Sequence, residues 1–191
     1  MTSYSCVATV MFCDIRNFTF LFEKQDPIKA IAFANEVLGV LGKEVERCNG
    51  QVDRSTGDGF LAHFGVDEPL DDHADLACRA VLGMRKKLRK INNDRYLQEK
   101  NVLNLGVGIH SGELAVGEVT TGKITQRTIL GDTVNTASRV ESLTKYFSVD
   151  ALITESTKQQ LSTDLKFQKM PLKKLKGKKH HVQTYWLLPM N

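Results

Sequence analysis

No stretch of this 191-residue chain approaches the roughly 20 consecutive apolar residues of a bilayer-spanning helix, and its first residues lack a charged segment followed by an apolar one. The segment is therefore expected to be cytoplasmic, with no membrane insertion. Cysteine occurs four times (Cys6, Cys13, Cys48, Cys78), without a C-x-x-C pair or a His partner at metal spacing. That pattern argues against a zinc site or a disulfide framework and predicts reduced, mostly buried thiols. Internal repeats, low-complexity tracts and linkers are missing too. Charge of one sign is scarce: 26 Lys and Arg against 22 Asp and Glu leave a net +4, much of it in Lys169, Lys173, Lys174, Lys176, Lys178 and Lys179. No aromatic residue interleaves that run, so it reads as a solvated face and no nucleic-acid partner is expected.

What is present suits one domain over 1–191: 41% hydrophobic and 25% charged residues are ordinary for a soluble globular protein. Residues 5 to 13 read as a mostly buried strand that delivers Asp14 at its end. Asn17 to Phe22 reads as a short helical turn with free amides. Asp26 before Pro27 starts a helix whose apolar positions Ile31, Ala34, Leu38, Leu41 and Val45 recur at 3,4 spacing until Asn49-Gly50. Gly57-Asp58-Gly59 forms a hairpin turn, and Asp71 or Asp72 caps a second helix through Ala74, Ala77, Val81, Met84, Leu88 and Ile91. The outer face of that helix, with Arg85, Lys86, Lys87, Arg89 and Lys90, is assigned to solubility.

Residues 102 to 119 read as another hairpin turning at Ser111-Gly112-Glu113, and 120 to 127 as a loop. Thr128-Ile129-Leu130 then makes a short strand leading to a helix capped by Asp132. Beyond it lie a strand at 151–154, a small helix at 155–160, and edge strands at 165–169 and 182–188. Interleaved strands and helices with antiparallel hairpins imply an α+β fold, one mixed sheet covered by helices.

Two strand ends thus each present an acid, Asp14 and Asp58. Were those ends adjacent, the pair could hold two divalent cations roughly 3.5 to 4 Å apart, as in-line phosphoryl chemistry requires. Mg²⁺ suits such a site, since it needs one or two carboxylates and leaves its other positions to water and phosphates. Asn135 and Arg139, four apart, share one face of their helix. His63 and His110 are expected to be structural.

The runs Phe12-Cys13-Asp14-Ile15-Arg16-Asn17-Phe18-Thr19, Asp53-Arg54-Ser55-Thr56-Gly57-Asp58 and Thr128 to Arg139 resemble the successive motifs of class III nucleotidyl cyclase catalytic domains, over about residues 7–188. The resemblance implies a ferredoxin-like, palm-type fold with a mostly antiparallel sheet, and conversion of ATP to 3′,5′-cyclic AMP and pyrophosphate. It assigns two Mg²⁺ or Mn²⁺ ions to Asp14 and Asp58 with the Ile15 carbonyl assisting, transition-state stabilisation to Arg139 and ribose orientation to Asn135. Lys176 would meet the terminal phosphates, Phe18 and Thr19 would flank the substrate, and Arg54 with Thr128 would read the base.

A cation at position 54 can donate to an adenine ring nitrogen while the Thr128 hydroxyl accepts from N6. Because Arg can also donate to guanine O6, a guanylate or dual-specificity cyclase is the alternative. A head-to-tail homodimer is implied, with Asp14 and Asp58 from one chain meeting Arg54, Thr128, Asn135, Arg139 and Lys176 from the other. Any regulatory domain would lie outside these residues. A non-catalytic binding module would usually lack one of the metal acids or the Asn/Arg pair, and all four are present here.

Overall fold

A computed structural model describes residues 3–18, 26–175 and 181–190. The framework is a sheet built on β1 (Tyr4–Ile15), which pairs antiparallel on one side with β3 (Gly59–Phe64) and on the other with β4 (Leu105–Thr121). Beyond β3 lies β2 (Gln51–Ser55). Beyond β4 come β6 (Ala151–Thr154), β10 (Thr184–Leu187) and β7 (Phe167–Lys169), and β5 (Ile124–Leu130) folds back on the far end of β4. The β4–β6 pair is parallel and the others are antiparallel. The small strands β8 (Lys173–Lys174) and β9 (His181–Val182) pair separately. This is the mixed, largely antiparallel α+β sheet that the sequence implies.

Both faces of β1 are covered, which explains its almost unbroken apolar run. Met11, Cys13 and Ile15 point into a core shared with α1 (Pro27–Arg47) and α2 (His73–Leu97). Ala8 and Val10 face the opposite side and pack with Val134 and Ala137 of α3 (Asp132–Phe147). The start of α1 is as expected: the Asp26 carboxylate accepts from Ile28 N at 2.9 Å and Pro27 opens the helix. Its residues Val37, Leu41 and Val45 are buried, each contributing roughly 1.5–3 kcal/mol of apolar transfer.

Several expectations need correction. Residues 105–121 form one continuous strand with no turn at Ser111-Gly112-Glu113, because β1 pairs along it from Ile15↔Leu105 to Tyr4↔Val116. The glycines there serve close packing rather than reversal. A Cβ on Gly112 would stand 2.8 Å from Thr133 Oγ1, and one on Gly108 would overlap the α3 backbone at Glu141 N. The chain reverses instead at Gly122, so 120–127, expected as a loop, is the tip of the β4–β5 hairpin.

Asp72 occupies the N-cap of α2 without a side-chain cap bond, and Gly131 rather than Asp132 is the N-cap of α3. Strand β10 is interior, flanked by β6 and β7. The small helix after β6, α4 (Glu155–Lys158), is shorter than expected. Arg85 is no solubility residue, since its guanidinium donates to Asp150 (2.6 and 2.7 Å) and to the Leu187 carbonyl (2.5 Å). Among the described residues, no helix is long and apolar enough to cross a membrane.

Candidate functional site

The last residues of β1 and the β2–β3 turn bring the two acids together. Asp14 stands opposite Gly59 in the ladder, and Ile15 N donates to the Asp58 carbonyl at 2.9 Å. The turn is held by Thr56 N donating to Gly59 O (2.9 Å) and Gly57 N donating to Ser55 Oγ (3.2 Å), with Gly57 at φ +97°. Gly59 is required where it is, as a Cβ there would overlap the Cys13 carbonyl.

The Asp14 carboxyl is pushed up to about 7, first by burial, then by the negative charges of Asp58 and Glu141; Arg16 opposes this only partly, and a hydrogen bond with Asp58 adds to the rise. A cation between the two carboxyls would relieve the repulsion that Asp14 meets there. The donor set fits Mg²⁺ or Mn²⁺, which need few protein carboxylates. Among the described residues, no cluster of three or more His, Cys, Asp or Glu that could hold a metal ion is found, at these two acids or elsewhere.

Arg54 and Thr128 also meet. Between Val52 and Arg54 the β2–β3 register shifts, so that Asp53 bulges out and the alternation after it changes side. The bulge lets Arg54 Nη1 donate to Thr128 Oγ1 at 2.7 Å while it pairs with Asp53 Oδ2 at 3.4 Å. Thr128 is buried and the Arg54 side chain is 46% exposed, so part of that side chain remains accessible to a ligand.

Asn135 and Arg139 lie on the side of α3 away from the sheet, opposite the buried Val134, Ala137 and Val140. Asn135 is exposed and Arg139 half-buried, and neither side chain has a hydrogen bond or ion pair among the described residues. Phe18 is half-buried, stacks on Phe33 at 6.4 Å, and lines a cleft of about 400 Å³ with Ile31, Ala34, Thr56, Gly57 and Asp58. Thr19 and Lys176, and most of the helical turn expected at 17–22, lie outside the described residues. The structure thus shows two groupings, the acids and the Arg54–Thr128 pair, with the Asn135/Arg139 face displayed separately.

Both histidines have structural settings. His63 is buried in β3, and His110 Nδ1 lies 2.8 Å from Thr154 Oγ1 and 3.1 Å from Ser156 Oγ. All four cysteines are free, with Cys13 and Cys78 buried and Cys6 and Cys48 half-buried. Sequence reasoning missed Arg16 and Glu141. Arg16 Nη1 is 3.5 Å from Asp14 Oδ2, and its Nη2 stands 2.7 Å from Glu141 Oε1 with its N–H groups aimed at the Glu141 carbonyl (3.2 Å) and the Thr144 hydroxyl. Their spacing, each two residues after a site residue, was the available signal.

A family model described as "Adenylate and Guanylate cyclase catalytic domain" matches residues 1–189. An adenylate cyclase of Anabaena cylindrica is 34% identical over 184 residues, covering 93% of this chain. The chain spans only 36% of that protein's length. Among solved structures, the guanylyl cyclase Cya2 superposes with a TM-score of 0.89 at 24% identity, covering 100% of this chain and 96% of that one. The adenylyl cyclase CyaB from P. aeruginosa gives 0.87 at 25% identity, covering 100% and 98%.

Proposed function

The chain belongs to the adenylate and guanylate cyclase catalytic domain family, and on that premise we propose that it converts ATP to 3′,5′-cyclic AMP and pyrophosphate. The observation that carries this reading is the meeting of Asp14 and Asp58 at adjacent strand ends. These acids, with the Ile15 carbonyl, would hold two Mg²⁺ or Mn²⁺ ions. When bound, such ions lower the pKa of the attacking 3′-hydroxyl and neutralise charge on the triphosphate.

The remaining work falls to side chains. Arg139 presents a planar fork to the phosphoryl oxygens as their charge grows, and Asn135, one turn earlier, orients the ribose. Since both point away from the fold that carries the acids, they serve the site of a second copy in a head-to-tail dimer. Each dimer then has two equivalent sites. Lys176 engages the terminal phosphates, and Phe18 and Thr19 border the nucleotide.

Arg54 and Thr128 read the base. In the hydrogen-bonded pair the Thr128 oxygen keeps acceptor capacity for the adenine N6 amine, while free N–H groups of Arg54 donate to a ring nitrogen. Guanylate cyclase activity is the second reading, favoured by the capacity of Arg54 to donate to guanine O6. Incubation of the protein with ATP or GTP, in Mg²⁺ or Mn²⁺, tests both. Cyclic AMP as the main product is expected; cyclic GMP alone would overturn the reading of Arg54, and no cyclic product under any condition would overturn the activity.

A further inference from the structure

We propose that Arg16 is a positioning residue that couples the two active sites of the dimer, tying the acid of one site to the helix that serves the other. The inference rests on the cross-subunit reading above. Within one protomer, the Arg16 guanidinium bridges two elements: Nη1 stands 3.5 Å from Asp14 Oδ2 on the β1 side, and Nη2 holds Glu141 and Thr144 on α3 more closely. Its backbone is fixed by Arg16 N donating to the Asn104 carbonyl at 2.8 Å. The Arg16 and Glu141 side chains are 17% and 14% exposed, so solvent and salt screen their pairing weakly.

The place is built for this fork. A Cβ on Gly106 would overlap Arg16 Nη2 and stand 2.5 Å from Glu141 Oε1. A planar guanidinium holds both partners at a fixed separation, which a lysine cannot do. Glu141 lies two residues beyond Arg139 on the same helix. Asp14 acts in one site while Asn135 and Arg139 of the same chain act in the other. The contacts Asp14, Arg16 and Glu141 therefore form a short link through the protomer between the sites. With a cation held by Asp14, the Arg16 guanidinium would be repelled from that side and would hold Glu141 more tightly, stiffening α3.

Mixed dimers with one complete site test this. An Arg139→Ala chain paired with an Asp14→Ala chain leaves a site whose acids come from the first and whose Asn135 and Arg139 come from the second. Arg16→Gln is then added to either chain. In the first it lies beside the working acid, and in the second it lies behind the working helix. We expect kcat to fall about fivefold or more in both placements, with KM for the nucleotide changed less than about twofold.

An effect confined to one placement, or none in either, overturns the coupling. A parent mixture that is inactive although both chains dimerise removes the cross-subunit reading and this inference with it, so the two failures are distinct. Glu141→Gln in the second chain carries the same test if Arg16→Gln hinders folding. Independently of turnover, Mn²⁺ should slow hydrogen exchange at residues 141–147 in the wild-type dimer, and Arg16→Gln should abolish that response. An undiminished response in the variant overturns the proposal.

Discussion

Asp75 and Asp14 are the same residue type in opposite circumstances. Asp75 is 1% exposed and accepts from Ser162 N (2.9 Å), Ser162 Oγ (2.8 Å), Thr163 N (3.0 Å) and the Thr163 hydroxyl. Burial opposes its ionisation, but these donors prevail and hold the carboxyl below its usual range. Asp150 is alike: burial is outweighed by Arg85 and by Trp186 Nε1 donating at 2.9 Å. Asp14 is more accessible than Asp75 yet worse served, with two acids nearby and a guanidinium largely committed to α3. A carboxylate saturated with donors ties elements together, whereas one left facing another acid is poised for a cation.

The contrast breaks most sharply on substitution of the acids. Asp14→Asn or Asp58→Asn is expected to lower kcat about a thousandfold or more, since several kcal/mol of charge stabilisation go with the cations. The melting temperature should stay level or rise, because repulsion is removed. Next, Arg139→Ala should cost about 10²–10³ in kcat. Its outward setting predicts a stability change within about 0.5 kcal/mol by urea unfolding. Asp75→Ala should do the reverse, losing about 2–3 kcal/mol of stability with kcat per folded molecule unchanged, because it strands buried donors.

The pH dependence of stability sharpens the same comparison with opposite signs. Asp75 and Asp150 have lowered folded values, so their contribution is present above the unfolded pKa of about 3.9 and is lost as pH falls through the folded ones. Asp14 has a raised value, so its contribution is greatest below about pH 4 and declines as pH rises through about 7. Urea titrations with and without Mn²⁺ check this: the ion should erase the loss near neutrality and leave the acid limb unchanged. The smallest effect is expected at the base pocket, where Thr128→Ala should shift the ATP to GTP preference about fivefold, roughly 1 kcal/mol for one hydrogen bond.

Local patterns carried much of this into the sequence. The 3,4 spacing and Asp26-Pro27 start of α1, the Gly57 turn, and the acids at two strand ends were all legible because each depends on neighbours in the chain. Long-range packing was not. Gly112 read as a turn former and Gly108 as part of a strand arm, yet both make room for α3, which comes later in the chain. Arg85 read as a surface cation because Asp150, its partner, lies 65 residues away. The bulge at Asp53 that lets Arg54 reach Thr128 has no signature in residue type, and the grip of Arg16 on Glu141 spans 125 residues.

Binding of Mn²⁺, followed by the loss of the free-ion electron paramagnetic resonance signal, tests the role of the paired acids most directly. The wild-type chain and Asp75→Asn should bind the ion in the presence of a non-cyclisable ATP analogue, while Asp14→Asn and Asp58→Asn should weaken it at least about tenfold, each losing one of few carboxylate ligands. Undiminished binding by Asp14→Asn and Asp58→Asn would contradict the account.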